Sequence, residues 1–121
     1  MRFRVAGGVL CCVMLASLFA CSTPGEEKYK MTDAQLGLTP LEADGRRIYG
    51  MRCLNCHESY TTKPRNGPSL KGLYHKPVMP SGTPANDERI AEVIVMGKRM
   101  MPPTPLTEEQ TKALLAYLHT L

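Results

Sequence analysis

An uncharged apolar run from Val5 to Ala20, preceded by Arg2 and Arg4, opens the chain, and no run of that length returns. From Ser22 onward the apolar residues are spaced, and three stretches carry helical spacing. The first starts at Thr39-Pro40-Leu41-Glu42, where Thr39 as N-cap, Pro40 in the first turn and Glu42 three residues on make a capping box. It predicts a helix to about Cys53, with Leu41, Ile48 and Tyr49 on its inner face and Gly45 beside them leaving room for another backbone. The second runs from about Pro84 to Met96, turns Ile90, Val93 and Ile94 inward and stops at Gly97. The third opens on a second capping box, Thr107 to Gln110, and carries the stripe Leu114, Tyr117, Leu118 and Leu121. No alternating stretch is long enough for a strand, so the pattern predicts an all-α fold of three to four helices.

The segments between are of two kinds. Residues 22 to 38 mix Pro, Gly and charges without periodicity and read as a flexible tether, its ends on the order of 20 to 25 Å apart. Residues 58 to 83 hold Pro64, Pro68, Pro77 and Pro80 among several glycines, with a short helical possibility near Leu70 to Tyr74. A loop that long is out of place in so small a domain unless it wraps something.

Composition sharpens that point. Phe3 and Phe19 both belong to the first twenty residues and there is no Trp, so Tyr29, Tyr49, Tyr60, Tyr74 and Tyr117 are the only later aromatics. A domain of this size buries a low fraction of its surface and commonly needs a staple.

The candidate staple is Cys53-Leu54-Asn55-Cys56-His57. Two thiols on one turn followed by an imidazole begin three kinds of site. A zinc site needs four N or S ligands, and beyond these three the chain offers only His75 and His119. A redox dithiol sits in a βαβ context, which the pattern lacks. A disulfide between residues so close would close a tiny loop and stabilise little. Covalent haem attachment uses this spacing directly: the thiols form thioethers with the two vinyl groups and the next residue sets an imidazole under the iron.

Location and charge narrow the field. Residues 1 to 20 have the layout of an export signal, and at 16 residues the apolar run is short of the roughly 20 that span a membrane. Leu18-Phe19-Ala20-Cys21 resembles the lipobox of bacterial lipoproteins, which implies cleavage before Cys21, lipidation of its thiol and a lipid-anchored protein at the periplasmic face of a bacterial membrane. Cys11 and Cys12 leave with the signal. After it, 13 Lys and Arg face 11 Asp and Glu, a net +2, divided as −3 over residues 22 to 44, +6 over 45 to 76 and −1 over 77 to 121. Export and so small a total disfavour a nucleic-acid partner.

Residues 41 to 121 resemble a monohaem class I cytochrome c. Gly45 and Tyr49 stand eight and four places before Cys53, where that family carries a small residue and an aromatic, and Leu114 and Tyr117 match the last helix that crosses the first. The resemblance implies one haem c held by Cys53, Cys56 and His57, with the Pro68 carbonyl in "NGPSLKGLY" accepting the Nδ1 hydrogen of His57. It implies Met101, before Pro102, as the sixth ligand; Met100 and Met79 are rivals, and His75 would give bis-histidine ligation. Only 44 positions separate His57 from Met101, fewer than in mitochondrial members, and the tryptophan that bonds a propionate has no counterpart, leaving Tyr74 or Lys76 for that role. The implied organisation is a signal over 1–20, a lipidated N-terminus and tether over 21–38 and a cytochrome domain over 39–121. The implied function is electron transfer between redox proteins, with partners acidic where they meet Arg46, Arg47, Arg52, Lys63, Arg65, Lys71 and Lys76. The alternatives are a haem subunit or sensor whose methionine dissociates, and a metal-free structural module.

Overall fold

The computed structural model describes residues 24–121, so the signal and Cys21 lie outside the described residues. Helix α1 is the short Pro24–Glu27, continued by a 3-10 turn, Lys28–Lys30. Helices α2 (Pro40–Arg52), α3 (Asp87–Met96) and α4 (Glu108–Leu118) form the body, with a second 3-10 turn at Leu73–His75. Among the described residues there is no strand, and the one ladder contact is the Lys98–Met101 bridge. The fold is all-α.

Both capping boxes form. Glu42 N–H donates to Thr39 Oγ1 (3.3 Å) while Thr39 N–H donates to Glu42 Oε2 (2.7 Å). Thr107 and Gln110 exchange the same pair at 3.0 and 3.2 Å. Helix α3 starts three residues later than its spacing predicts, because Asn86 takes the cap: its Oδ1 accepts from Arg89 N–H at 2.9 Å. The Asn cap satisfies one of the first-turn N–H donors that have no partner within the helix.

The core forms where α2 crosses α4. A methyl group at Gly45 would stand 2.0 Å from the Ala113 carbonyl oxygen, so the helices meet there backbone to backbone. One turn on, the Tyr49 and Tyr117 rings pack edge to face with centroids 5.4 Å apart, beside the fully buried Leu114. Tyr117 OH donates to Tyr60 OH at 2.8 Å inside the core, and α3 adds Ile90 and Ile94. Tyrosines thus supply the aromatic bulk, their hydroxyls paired as burial requires.

Two expectations are corrected. Leu41 is 40% exposed rather than inward: it lies a turn before the crossing at Gly45, on an open groove that it shares with Thr111, Lys112 and Leu115 of α4. Residues 24–38 are a strap folded onto the domain and not a free tether. Tyr29 packs edge-on against Tyr60 (4.9 Å), and Leu36 and Leu38 pack against the core. Asp33 pairs with Arg46 at 2.7 Å, Glu26 with Lys63 at 3.2 Å, and the Met31 carbonyl accepts from Arg46 Nη2 at 2.9 Å. The strap shows no periodicity because its order comes from residues distant in sequence.

Candidate functional site

Helix α2 ends where the chemistry begins. Cys53 N–H donates to the Tyr49 carbonyl at 2.8 Å; then Cys56 and His57 N–H both reach the Cys53 carbonyl, at 3.0 and 2.9 Å. One tight turn therefore carries both thiols and the imidazole, and Tyr49 OH holds it to the helix by donating to the His57 carbonyl at 2.8 Å. Both thiols are free, Cys53 half-buried and Cys56 exposed. Burial, reinforced by the neighbouring Cys56, pushes the Cys53 thiol up to about 11. An attacking dithiol needs the opposite shift. Among the described residues no three His, Cys, Asp or Glu side chains converge as a zinc site requires.

The loop after the motif folds back over His57. Gly67 N–H donates to the Cys56 carbonyl at 2.8 Å, and His57 Nδ1–H donates to the Pro68 carbonyl at 2.8 Å. A Cβ at Gly67 would stand 2.5 Å from His57 Cε1, so only a glycine leaves space for the ring. With Nδ1 engaged, Nε2 is the nitrogen left for a metal, and the carbonyl bond fixes tautomer and ring direction.

Glu58, next in the chain, is buried at 8% exposure. Its carboxylate accepts from Tyr29 OH, from Arg65 Nε at 2.5 Å and from Thr61 Oγ1 at 3.3 Å. Burial alone would raise its pKa, but these bonds together with the Arg65 charge outweigh it and hold the carboxyl below its ordinary 4.5. A depressed carboxylate stabilises the fold above that ordinary value, and the contribution is lost as pH falls through the lower folded value. Urea midpoints of the holoprotein measured from pH 7 down to pH 3 are therefore expected to fall more steeply below about pH 4.5 for the wild type than for Glu58→Gln. Parallel curves would show that Glu58 has no such role.

Opposite in sequence lies the methionine turn. Lys98 and Met101 exchange both backbone hydrogen bonds, each 3.0 Å, and Thr104 N–H ties the next residues to the Ile94 carbonyl at 2.9 Å. Gly97, at φ 74°, lets this segment fold over it: a Cβ there would lie 2.7 Å from the Met101 carbonyl oxygen. Met100 at the tip is 95% exposed and Met79 is buried in the core, whereas Met101 is half-buried and packs against that core.

Other sequence candidates are engaged elsewhere. Tyr74 OH donates to Asp87 Oδ1 at 2.5 Å and its ring stacks on His119 at 3.6 Å; Lys76 Nζ donates to the Ser69 carbonyl at 2.9 Å; His75 is exposed. Of the seven cations around the motif, Arg46, Arg47, Lys63 and Arg65 pair with Asp33, Asp44, Glu26 and Glu58, and among the described residues Arg52, Lys71 and Lys76 stand outside these ion pairs. Sequence reasoning missed the parts played by Tyr29 and Glu58 and named Arg65 only as a docking cation, not as Glu58's partner; the one visible signal was that Glu58 is the only acid among seven cations from 45 to 76.

Two free thiols and an imidazole on one turn, with that imidazole anchored through Nδ1 and embraced by an all-helical domain, fit haem c, and the domain is that of a c-type cytochrome. A family model described as cytochrome c oxidase, cbb3-type, subunit III matches residues 40–118, and the chain belongs to that family. Comparison with the curated proteins gives no match. Membership makes the cofactor covalent haem c, with Cys53 and Cys56 in its attachment region, and the activity electron transfer with redox protein partners. Proteins of this family are exported and face the periplasm. Among the described residues no helix is long and apolar enough to cross a membrane.

Proposed function

We propose that this cytochrome carries single electrons between redox proteins at a membrane surface, through a haem joined to Cys53 and Cys56 and ligated by His57 and Met101, with lipid on Cys21 as its anchor. When bound, haem supplies the one-electron couple; the residues hold and tune it. His57 offers Nε2 with its other nitrogen bonded to Pro68, and a thioether opposite a histidine raises the reduction potential relative to two histidines. The observation that carries the sixth ligand is the clamped turn before α4. Met101 packs on the core with its backbone bonded both ways to Lys98, whereas Met100 points to solvent. A turn so fixed, followed by Pro102 and Pro103, resists the excursion that a dissociating ligand needs, which favours a carrier over a sensor.

Met101→Ala is expected to abolish the near-infrared sulfur-to-iron band of the oxidised holoprotein, and Met100→Ala to leave it intact. The reverse pattern moves the ligand by one residue.

The anchor rests on the lipobox-like Leu18-Phe19-Ala20-Cys21. Cys21→Ser should release a still-red protein into the soluble fraction, and retention in the membrane would point to an uncleaved signal. An acidic partner would meet Arg52, Lys71 and Lys76, the cations outside ion pairs among the described residues, a weaker surface than seven free charges would make. The family's description names an oxidase subunit, which supports a second reading, a dedicated subunit of a larger oxidoreductase. Copurification with a larger partner from detergent-solubilised membranes would favour it.

A further inference from the structure

The segment that binds back onto the proximal side of the site comes from outside the family match, which begins at residue 40. Tyr29 OH is the meeting point: it bonds Glu58, and Ser59 N–H and Oγ–H both lie 3.2 Å from it. Glu58 follows His57 directly, and its carboxylate takes Arg65 Nε at 2.5 Å. Arg65 N–H donates to the Gly67 carbonyl at 3.0 Å, Gly67 lies against the His57 ring, and Pro68 accepts from His57 Nδ1. Leu70 N–H closes the circuit on the Glu58 carbonyl at 2.8 Å. The loop that carries the His57 acceptor is thus held at both ends by Glu58, one end through its backbone and the other through its carboxylate.

We infer that Tyr29 is a positioning residue for the haem: by holding the Glu58 carboxylate on Arg65, it fixes the 65–68 backbone and thereby the Pro68 carbonyl against His57 Nδ1. The inference rests on His57 being the proximal ligand. Glu58 is buried, fully bonded and beside the ligand, so a shift of its carboxylate is transmitted to the loop and not absorbed by solvent. A bond from Nδ1–H to a carbonyl makes the imidazole a stronger donor and favours oxidised iron, and loosening it favours the reduced form.

The experiment uses the full-length holoprotein and compares wild type with Tyr29→Phe, which keeps the ring against Tyr60 and removes the hydroxyl, Arg65→Gln, and Asp33→Asn. The last breaks a different tie of the same strap, the Asp33–Arg46 pair. Midpoint potential and the paramagnetically shifted proton resonances of the proximal histidine are read together. Tyr29→Phe and Arg65→Gln are each expected to move the reduced-to-oxidised ratio at fixed potential toward reduced by up to about tenfold, about 59 mV for one electron, and to shift the Nδ1–H resonance. Asp33→Asn is expected to leave both unchanged. A wild type with histidine ligation in which Tyr29→Phe changes neither reading overturns the inference, and so does an Asp33→Asn shift as large as that of Tyr29→Phe. A wild type without the proximal histidine resonances fails the ligand reading itself, and the inference falls with it.

Discussion

Replacing Gly45 by alanine is expected to lower the melting temperature of the holoprotein by roughly 10–20 °C, the consequence of a net loss of about 2–3 kcal/mol in a domain of this size. Propensity points the other way, since alanine in a helix interior gains about 1 kcal/mol over glycine. Sterics decide. The new Cβ would stand 2.0 Å from the Ala113 oxygen, 2.7 Å from the Ala113 carbonyl carbon and 2.7 Å from Tyr117 Cβ, two of them backbone atoms that cannot rotate away. Helices α2 and α4 would have to part, opening the packing around Tyr49, Leu114 and Tyr117, each at most 2% exposed. Gly50 in the same helix is the internal control, because a Cβ there meets nothing within 4 Å. Gly50→Ala should raise the melting temperature by a few degrees, worth about 0.4–1 kcal/mol. Equal effects at the two positions would show that the crossing is not set by backbone contact.

Gly67→Ala is expected to damage the site and leave the fold nearly intact. Its Cβ would lie 2.5 Å from His57 Cε1 and 2.9 Å from Nδ1, so either the ring turns or the loop lifts, and in both cases the 2.8 Å bond to Pro68 is lost. Loss of an outer partner of a ligating histidine typically costs ten- to a hundredfold. If His57 ligates the haem as proposed, the balance between bound and free imidazole should shift by about that factor, read as a high-spin fraction in the optical and electron paramagnetic resonance spectra of the oxidised protein. An unchanged low-spin spectrum with an unchanged potential would mean that the loop yields at no cost. The two glycines separate two roles, one holding helix on helix and the other holding the loop on the His57 ring.

Much of this was legible in the chain itself. The three main helices, their capping boxes and the Leu114–Tyr117–Leu118 stripe follow from local rules: a cap and its partner lie three residues apart, and a helix face repeats within two turns. The haem attachment motif was equally local, because two thiols and an imidazole must share one turn to act together. The need for a cofactor was visible too, in a chain with five late tyrosines, no Trp and a long Pro- and Gly-bearing loop. These features depend on neighbours in sequence, and neighbours in sequence are all that a pattern records.

Tertiary structure decided what depends on distant residues. Residues 24–38 looked unstructured because no periodicity orders them, yet Tyr29 finds Tyr60 and Glu58 about thirty positions away. The charge along the chain, −3 followed by +6, suggested an exposed basic face. Folding lays the acidic strap on the basic stretch, so that Asp33 and Glu26 neutralise Arg46 and Lys63, since opposite charges attract once packing brings them within a few ångströms. The same holds for the three methionines that sequence left in competition. Met100 and Met101 are adjacent in the chain, but the turn closed between Lys98 and Met101 sends one to solvent and the other against the core. A sequence names the chemistry it can supply from any one turn; which distant groups meet that chemistry is set by packing, where a single backbone approach at Gly45 or Gly67 has more influence than any local preference.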